Sequence, residues 1–181
     1  QPEVVATIGN FDGLHKGHQK VLAHLSEEAK QLQLPSLLIT FEPLPLEYFK
    51  GEQAPARLFR LGEKLKLLNG YKVDYVLCIK FNEAFSKLSA EKFIEDILVK
   101  KLKIKSLIIG DDFRFGHQRQ GDFDLLEKTG KKLGFSVKKT STFNYANERV
   151  GSSRVRKALA ESDFTQAKEL LGFPYCISAR V

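Results

Sequence analysis

Short continuous apolar runs alternate along this chain with longer stretches in which apolar residues recur at helical spacing. Apolar runs of this kind between helices are typical of strands that are buried on both faces of a parallel sheet. The four clear runs lie at residues 4–8, 36–41, 75–79 and 106–109. A weaker alternating pattern over residues 135–143 predicts a fifth strand nearer the sheet edge. Together they predict a doubly wound, Rossmann-like α/β fold, a parallel sheet with helices on both faces.

The helices are predicted from apolar stripes and from their end signals. The stripes consist of Val21, Leu22, Leu25, Ala29 and Leu32; Leu61, Leu65 and Leu68; Phe93, Ile94, Ile97, Leu98 and Leu102; Leu125, Leu126 and Leu133; Val155, Ala158 and Leu159; and Ala167, Leu170 and Leu171. Lys64 and Lys66 are expected to point outward, Ser89 to cap a helix, and Gly134 to end one. Cys78 lies in an apolar run and is predicted to be a buried thiol.

Composition narrows the class of partner. Lys and Arg number 29 against 22 Asp and Glu, a net charge of +7, which suits a nucleotide, a nucleic acid or an acidic surface. The basic residues are not interleaved with aromatic residues on one stripe, which weighs against a nucleic-acid-binding module but leaves it as an alternative. No apolar run approaches the ~20 residues of a spanning helix. Cys78 and Cys176 fit neither a metal spacing nor a disulfide framework, so we predict a cytoplasmic protein without a membrane partner.

A glycine-rich stretch follows the first apolar run, over residues 9–18, and reads as a strand, a tight turn and a helix. Free N–H groups and the helix dipole at such a helix start suit a phosphate group. His15 and His18 are three residues apart, a spacing that can aim both imidazoles into one anion pocket. The stretch is neither a Walker loop nor a dinucleotide-binding motif. The alternative is an ordinary turn with two solvated histidines, but the density of Gly and His favours a functional site.

Two later stretches also carry candidate chemistry. Residues 110–116 hold two carboxylates, an arginine and two aromatic rings at the end of the fourth strand, where open α/β sheets bind ligands. They suit a charged planar ligand or a hydrated magnesium ion, with a surface turn as the alternative. Residues 151–156 place two serines and two arginines, Arg154 and Arg156, at another helix start. Ser152 or Ser153 is predicted to cap that helix, giving either a second anion site or a helix with surface arginines.

The stretch after the second strand, residues 42–49, contains two prolines that are predicted to bar a helix there. Tyr48 and Phe49 within it line an aromatic slot or simply cap the loop, and the residues alone leave both options open. Arg57 is a candidate for a phosphate contact, with a solvated arginine as the alternative.

Three of these stretches resemble one known family. His-Lys-Gly-His at residues 15–18 resembles the H-x-G-H signature of the nucleotidyltransferase superfamily, and the longer pattern over 9–18 resembles the FMN adenylyltransferase (FAD synthetase) module of bacterial bifunctional riboflavin kinase/FMN adenylyltransferases. Residues 110–116 are similar to that family's second signature, and residues 151–156 to its S-[S/T]-x-x-R motif. The resemblance implies the transfer of adenylyl from ATP to FMN, with FAD and pyrophosphate as products.

The resemblance also implies roles for individual residues. The catalytic residues would be His15, His18 and Arg156; the ATP-binding residues Gly9, Asn10, Phe11, Gly17, Ser152 and Ser153; and the flavin-binding residues Phe41, Pro43, Pro45, Asp112 and Phe113. Mg²⁺ would be held mainly by phosphate oxygens, with no protein ligand assigned. The partners would be small molecules, with riboflavin a further substrate of the intact protein.

The resemblance further divides the chain into a transferase domain, residues 1–171, and the start of a riboflavin kinase domain, residues 172–181, which is expected to begin with a strand. Enzymes with the same signature that act on pantetheine phosphate, nicotinamide mononucleotide or glycerol phosphate remain the alternative.

Overall fold

Five parallel strands form the central sheet of the structure, a computed structural model that describes residues 3–178. The strands are β1 (Val4–Ile8), β2 (Ser36–Glu42), β3 (Tyr75–Lys80), β4 (Ile104–Gly110) and β5 (Ser136–Thr140). Their spatial order is β3-β2-β1-β4-β5. Strands β2 and β3 are added on one side of β1, and β4 and β5 on the other, so the winding of the sheet reverses between β1 and β4. The carboxyl ends of these two strands form the crevice in which such folds bind ligands. The predicted doubly wound fold is confirmed.

Helices cover both faces of the sheet and extend beyond one edge. They are α1 (Lys16–Leu32), α2 (Pro45–Lys50), α3 (Leu61–Leu68), α4 (Glu83–Ser86), α5 (Ala90–Lys92), which continues as a π-helix over Phe93–Lys101, α6 (Phe123–Leu133), α7 (Ser152–Ala160) and α8 (Phe164–Leu171). Single 3₁₀ turns lie at Gly51–Gln53, Asn69–Tyr71 and His117–Arg119, and a short hairpin is formed by β6 (Asn144–Tyr145) and β7 (Glu148–Arg149). Within residues 3–178, every helix is too short or too polar to cross a membrane.

Successive residues of each strand pack on opposite faces, as the pleat of a strand requires. The face covered by α1 and α3 is formed by Val5, Leu38 and Ile108, and the face covered by the π-helix and α6 by Ala6, Ile39 and Leu107. A third apolar cluster lies where residues 58 and 59 meet α7 and α8, and it comprises Leu58, Phe59, Val150, Val155, Leu170 and Leu171. This third cluster joins residues 58 and 59 to the last two helices, α7 and α8.

The prediction that prolines bar a helix after β2 is wrong. Helix α2 begins at Pro45, and the Glu47 carboxylate accepts a hydrogen bond from the Leu44 amide at 2.8 Å. Proline suits the first helical position because the amide hydrogen it lacks would have no partner there. The helix carries Tyr48 and Phe49 to the edge of the sheet.

Lys64 is buried instead of pointing outward, with 2% of its surface exposed, whereas Leu65 is 41% exposed. Its ammonium donates to the Asn10 carbonyl oxygen at 2.7 Å, so the buried charge has a partner. Burial lowers the pKa of Lys64, against the opposing effect of Asp12. Helical periodicity cannot identify such a lysine, because its partner lies 54 residues away.

Several smaller predictions are also corrected. Cys78 is exposed because β3 is an edge strand, and Leu32 and Leu133 are 41% and 42% exposed because they end their helices. Strand β5 ends at Thr140 instead of continuing to residue 143. The strand expected in residues 172–181 does not begin within 172–178, and residues 179–181 lie outside the described part. The caps at Ser89 and Gly134 are confirmed.

Candidate active site

The glycine-rich turn leaves β1 with its backbone held close to its neighbours. The Gly9 amide donates to the Ile39 carbonyl at 3.0 Å, and Gly13 has a φ of 91°. A Cβ atom on Gly13 would lie 2.5 Å from the Leu58 side chain, and one on Gly17 would lie 3.1 Å from the His15 ring. A side chain at Gly13 would be strained by the positive φ and would displace Leu58, whereas one at Gly17 would require the His15 ring to shift by a few tenths of an ångström.

Phe11 places its ring in the core and leaves only its backbone for a ligand. The side chain is 2% exposed, and its ring centroid lies 5.0 Å from that of His18. The residue has a φ of 47°, which turns the chain towards α1. Asn10, one residue earlier, is exposed, and its carbonyl oxygen is held by Lys64 and by the Thr40 hydroxyl.

His15 and His18 form a stacked pair at the start of α1. Their ring centroids are 3.7 Å apart and their planes are inclined by 19°. His15 is the N-cap residue, and its Nδ1 accepts a hydrogen bond from the His18 amide at 3.3 Å. A neutral His15 therefore carries its proton on Nε2, where it can donate to a ligand. The His18 Nδ1 atom is buried and has no partner within residues 3–178.

Both histidines are uncharged near neutral pH. Burial, together with the charge of Arg149, lowers the pKa of His15 to about 4. Burial and the neighbouring His15 ring hold the pKa of His18 well below its usual value. A phosphate group placed beside the pair would favour the protonated rings, so the pKa values would rise when an anion binds.

Asp12 joins the glycine-rich turn to the far end of the chain. Its carboxylate is buried, 3% exposed, and accepts hydrogen bonds from the Leu58 and Phe59 amides at 3.0 and 3.4 Å. Its other oxygen pairs with the guanidinium of Arg156, and its carbonyl oxygen accepts from the Ser152 hydroxyl at 2.7 Å. The two predicted anion sites therefore lie side by side, although 144 residues separate Asp12 from Arg156.

The start of α7 differs from the prediction in its capping. Gly151, which has no side chain, is the N-cap residue, so the prediction that Ser152 or Ser153 caps the helix is wrong. Ser152 turns its hydroxyl to Asp12, and Ser153 is exposed. Arg156 also donates from Nε to the Ala56 carbonyl at 2.5 Å. Arg154 turns away to the hairpin, where it donates to the Tyr145 carbonyl at 2.8 Å.

The loop after β4 is closed by an arginine that the sequence did not single out. Arg149, at the end of the hairpin, pairs with Asp112 at 2.6 Å and lies 3.8 Å from Asp111. Arg149 lowers the pKa of His15 and Asp112 raises it, so this ion pair lies near the histidines. Arg114 pairs instead with Asp122 at 2.9 Å. A lone arginine in a polar turn carries no sequence signal, which is why Arg149 was missed.

Aromatic rings line the carboxyl edge of the sheet in a continuous row. The row consists of Tyr48, Phe49, Phe81, Phe85, Phe93, Phe115 and Phe113, with neighbouring ring centroids 5.2–6.0 Å apart. Phe41 lies beneath it, 8% exposed and 5.8 Å from the Phe81 ring. Pro43 and Pro45 are half-buried beside it, whereas Phe49 is 65% exposed. Phe113 stacks on Phe115 with an interplanar angle of 12°.

Arg57 is neither solvated nor free for a phosphate. It donates to the carboxylates of Glu42 and Glu47, and its hydrogen bond to Glu47 lowers the pKa of that carboxyl. This network fixes the entry into α2 and therefore the position of the aromatic row.

The grooves elsewhere on the surface do not coincide with this chemistry. Two grooves, of about 390 and 620 Å³, lie at the amino ends of the strands, near Ser36 and Asp74 and near Lys105 and Ser136. The glycine-rich turn follows the opposite, carboxyl end of β1. Within residues 3–178, no three His, Cys, Asp or Glu side chains come together as a set of metal ligands. We therefore place the candidate site at the carboxyl edge.

Known proteins resemble this chain over most of its length. The sequence profile described as FAD synthetase matches residues 1–154. The chain is 50% identical over 181 residues to the bifunctional riboflavin kinase/FMN adenylyltransferase of Escherichia coli K12, covering all of this chain and 58% of that protein. It is 48% identical over 175 residues to the protein of the same name from Haemophilus influenzae, covering 97% of this chain and 57% of that one. The chain thus spans less than two thirds of these relatives.

A solved structure shares the fold at lower identity. The crystal structure titled macrolide-efflux protein from Streptococcus pneumoniae superposes with a TM-score of 0.84 at 23% identity, over 96% of this chain and 56% of that one. This likeness concerns the fold alone. The profile match covers most of the chain and includes the glycine-rich turn, the loop after β4 and the first three residues of α7. The chain belongs to the FAD synthetase family.

Proposed function

We propose that this chain transfers the adenylyl group of ATP to FMN, giving FAD and pyrophosphate. The observation that carries the proposal is the bridge through Asp12, which joins the start of α1 to the start of α7. Two helix starts with free N–H groups at one edge of the sheet suit a polyphosphate chain. Membership of the FAD synthetase family supports this substrate and this acceptor.

The reaction is an in-line displacement at phosphorus. A phosphate oxygen of FMN forms a bond to the α-phosphorus of ATP, and the bond from that phosphorus to the pyrophosphate oxygen breaks. No protein nucleophile is needed, so the protein contributes position and charge stabilisation. His15 would donate from Nε2 to a triphosphate oxygen, and His18, stacked against it, would act on the same group.

The nucleotide is expected to lie along the glycine-rich turn and the start of α7. The backbone of Gly9, Asn10, Phe11 and Gly17 would lie against ATP. Gly9 and Gly17 have no side chain to hinder a close approach, and the Phe11 ring is turned into the core. Ser153, which is exposed, would bind the departing pyrophosphate.

Ser152 and Arg156 would position that helix start through Asp12. Among residues 3–178, Nη1 of Arg156 has no hydrogen-bond partner, so it remains available to a phosphate oxygen.

The flavin ring is expected to pack on the aromatic row. Phe113 and the loop with Pro43 and Pro45 would contact the ring, and Asp112 would accept a hydrogen bond from it. Phe41 would act from below, because its buried side chain supports Phe81. Large planar ligands pack well against aromatic side chains in this way.

Magnesium fits the site as an ion held mainly by phosphate and water oxygens. Asp12 is occupied by Arg156 and two amides, and Asp111 and Asp112 lie beside Arg149. Mg²⁺ accepts such a site because it keeps several waters and binds substrate phosphates readily. When bound, the ion would neutralise charge on the triphosphate.

The intact protein is proposed to be bifunctional, with a riboflavin kinase part that follows residues 1–171, and to act in the cytoplasm. The relatives named above carry both activities in their names and are longer than this chain. Residues 172–181 would lead into that second part.

The proposal is tested by incubating the chain with ATP, Mg²⁺ and FMN and separating the products by chromatography. We expect FAD and pyrophosphate in equal amounts. Parallel reactions offer pantetheine phosphate, nicotinamide mononucleotide or glycerol phosphate as the acceptor, and a binding assay offers RNA and DNA at several salt concentrations. Preference for another acceptor, or salt-sensitive nucleic acid binding without FAD formation, contradicts the proposal.

A further inference from the structure

The segment after α8 folds back on the transferase body. The Tyr175 hydroxyl donates to the Leu58 carbonyl at 2.9 Å, and the Ser178 amide donates to the Glu63 carboxylate at 2.9 Å. The Tyr175 and Phe173 rings lie 5.5 and 6.2 Å from the Phe59 ring. We refer to residues 173–178 as the return segment. It is joined to residues 58–63 by two hydrogen bonds and two ring contacts.

Residues 58–64 are held on their other side by the glycine-rich turn. The amides of Leu58 and Phe59 donate to the Asp12 carboxylate, and the Lys64 ammonium donates to the Asn10 carbonyl. We call residues 58–64 the clasp. The clasp thus lies between the return segment on one side and Asn10 and Asp12 of the glycine-rich turn on the other.

One residue, Leu58, connects the two sides of the clasp. The Leu58 carbonyl accepts from Tyr175, and the amide of the same residue donates to Asp12, which pairs with Arg156. The bond from Leu58 to Asp12 is buried, and the bond from Tyr175 to Leu58 is partly buried. Hydrogen bonds that are shielded from water fix orientation, because a lost partner is not readily replaced by solvent.

We propose that Tyr175 is a positioning residue for adenylyl transfer, acting through Leu58 and Asp12 on Arg156. Its ring packs on Phe59 and stabilises the fold, whereas its hydroxyl orients the clasp. The return segment is therefore part of the transferase site, even though it lies outside the residues that touch substrate. This inference rests on the proposed function.

The test compares Tyr175→Phe with Tyr71→Phe in the full chain. Both changes remove one hydroxyl and keep the ring, and Tyr71 packs in the cluster on the α1 face, whereas Tyr175 packs on Phe59 of the clasp. Removing one neutral hydrogen bond typically changes an equilibrium by about fivefold. We expect Tyr175→Phe to lower kcat by about that factor with the KM for FMN unchanged, and Tyr71→Phe to leave both unchanged.

A double variant separates positioning from general loss of stability. If Tyr175 acts through Arg156, the same substitution in an Arg156→Lys background changes kcat by much less than fivefold. Equal losses in both backgrounds would overturn the proposal, because independent effects multiply. A normal kcat for Tyr175→Phe in a wild type that makes FAD would also overturn it.

A spectroscopic signal gives a readout besides activity. The ¹⁵N–¹H resonance of Arg156 Nε reports its hydrogen bond to Ala56 and should shift in Tyr175→Phe but not in Tyr71→Phe. An unmoved resonance in both variants contradicts the coupling. If the unsubstituted chain forms no FAD, the proposed function itself is overturned. This outcome differs from a failure of the Tyr175 proposal, in which the unsubstituted chain does form FAD.

Discussion

The starts of α1 and α7 look alike in sequence but are built differently. Both carry polar residues in the first turn, and both present free amides at the carboxyl edge of the sheet. The start of α1 is capped by its own residue, His15, whose ring accepts from the His18 amide. The start of α7 has no side-chain cap and is tied instead to Asp12 through Ser152 and Arg156.

The difference shows which half of the site depends on the other. The side-chain cap of the α1 start is a bond over three residues, so the cap itself does not depend on contacts with α7. The α7 start is placed by bonds that span 140 and 144 residues, so it is set by the position of the glycine-rich turn. Changes at Asp12 should therefore disturb the α7 start more than changes at α7 disturb the histidines.

The largest effect is expected for Asp12→Asn. The substitution keeps the shape of the side chain but leaves the Arg156 guanidinium without its carboxylate, and breaking such a pair typically costs about 3 kcal/mol of stability. Because Arg156 also loses its position, turnover should fall on the order of a hundredfold. Urea unfolding measures the first effect and FAD formation the second.

Asp74→Asn is the matched control for Asp12→Asn. Asp74 accepts from the Ser36 amide and hydroxyl at the opposite edge of the sheet. Its loss should change stability modestly and turnover not at all. If Asp12→Asn behaves like this control, the two helix starts do not depend on one another through Asp12.

His18→Ala should separate chemistry from folding at the α1 start. The Nδ1 atom of His18 has no partner within residues 3–178, so its removal breaks no side-chain hydrogen bond of the fold at that atom. Losing one donor to a transition state typically adds about 3 kcal/mol to the barrier, on the order of a hundredfold in kcat. The exposed His117 supplies the control, since His117→Ala should leave kcat unchanged. Full turnover by His18→Ala would remove His18 from the mechanism.

Acid should destabilise the protein through the α1 start. The pKa of His15 is about 4 in the folded chain against 6.5 as its ordinary value, with burial the main cause. The unfolded chain therefore binds more protons between these values, and stability rises with pH across that window and is lost as the pH falls from 6.5 towards 4. The loss contributed by His15 at pH 5 should be roughly 2 kcal/mol relative to pH 7.

Urea unfolding at pH 7 and pH 5 measures that loss, with His15→Asn as the comparison. Asparagine keeps an N-cap acceptor but does not titrate, so the variant should lose less stability between the two pH values. An unchanged difference would mean that His15 titrates normally in the folded chain.

The sequence predicted well what is set by short-range pattern. The strands, α1, α8 and the helix starts at residues 16 and 152 follow from periodicity and from turn residues within one or two helical turns. These features follow from information contained in a few adjacent residues. The closeness of the two helix starts follows instead from the resemblance, which implies one shared substrate for their residues.

The bonds that join these elements could not be predicted in the same way. Asp12 looked like one polar residue of a turn, Lys64 like an outward lysine, and Arg149 like a surface arginine. Each acts through a partner distant in sequence: Arg156 for Asp12, Asn10 for Lys64, Asp112 for Arg149. The local sequence pattern holds no information about contacts between residues far apart in the chain. Only the packed fold decides whether a charged side chain is buried with a partner or solvated.

The smallest expected effects distinguish the two serines of α7. Ser152 donates to the Asp12 carbonyl at 2.7 Å, whereas Ser153 is exposed at the same helix start. Ser152→Ala should cost about 1 kcal/mol of stability, the usual net value of one hydrogen bond, and should change the KM for ATP little. Ser153→Ala should leave stability unchanged and raise the KM for ATP, because its hydroxyl is the one free to reach a phosphate. The opposite pattern, with Ser152→Ala alone affecting ATP, would mean that the bond to Asp12 opens when the nucleotide binds, and the α7 start would then be less firmly tied to the turn than its contacts indicate.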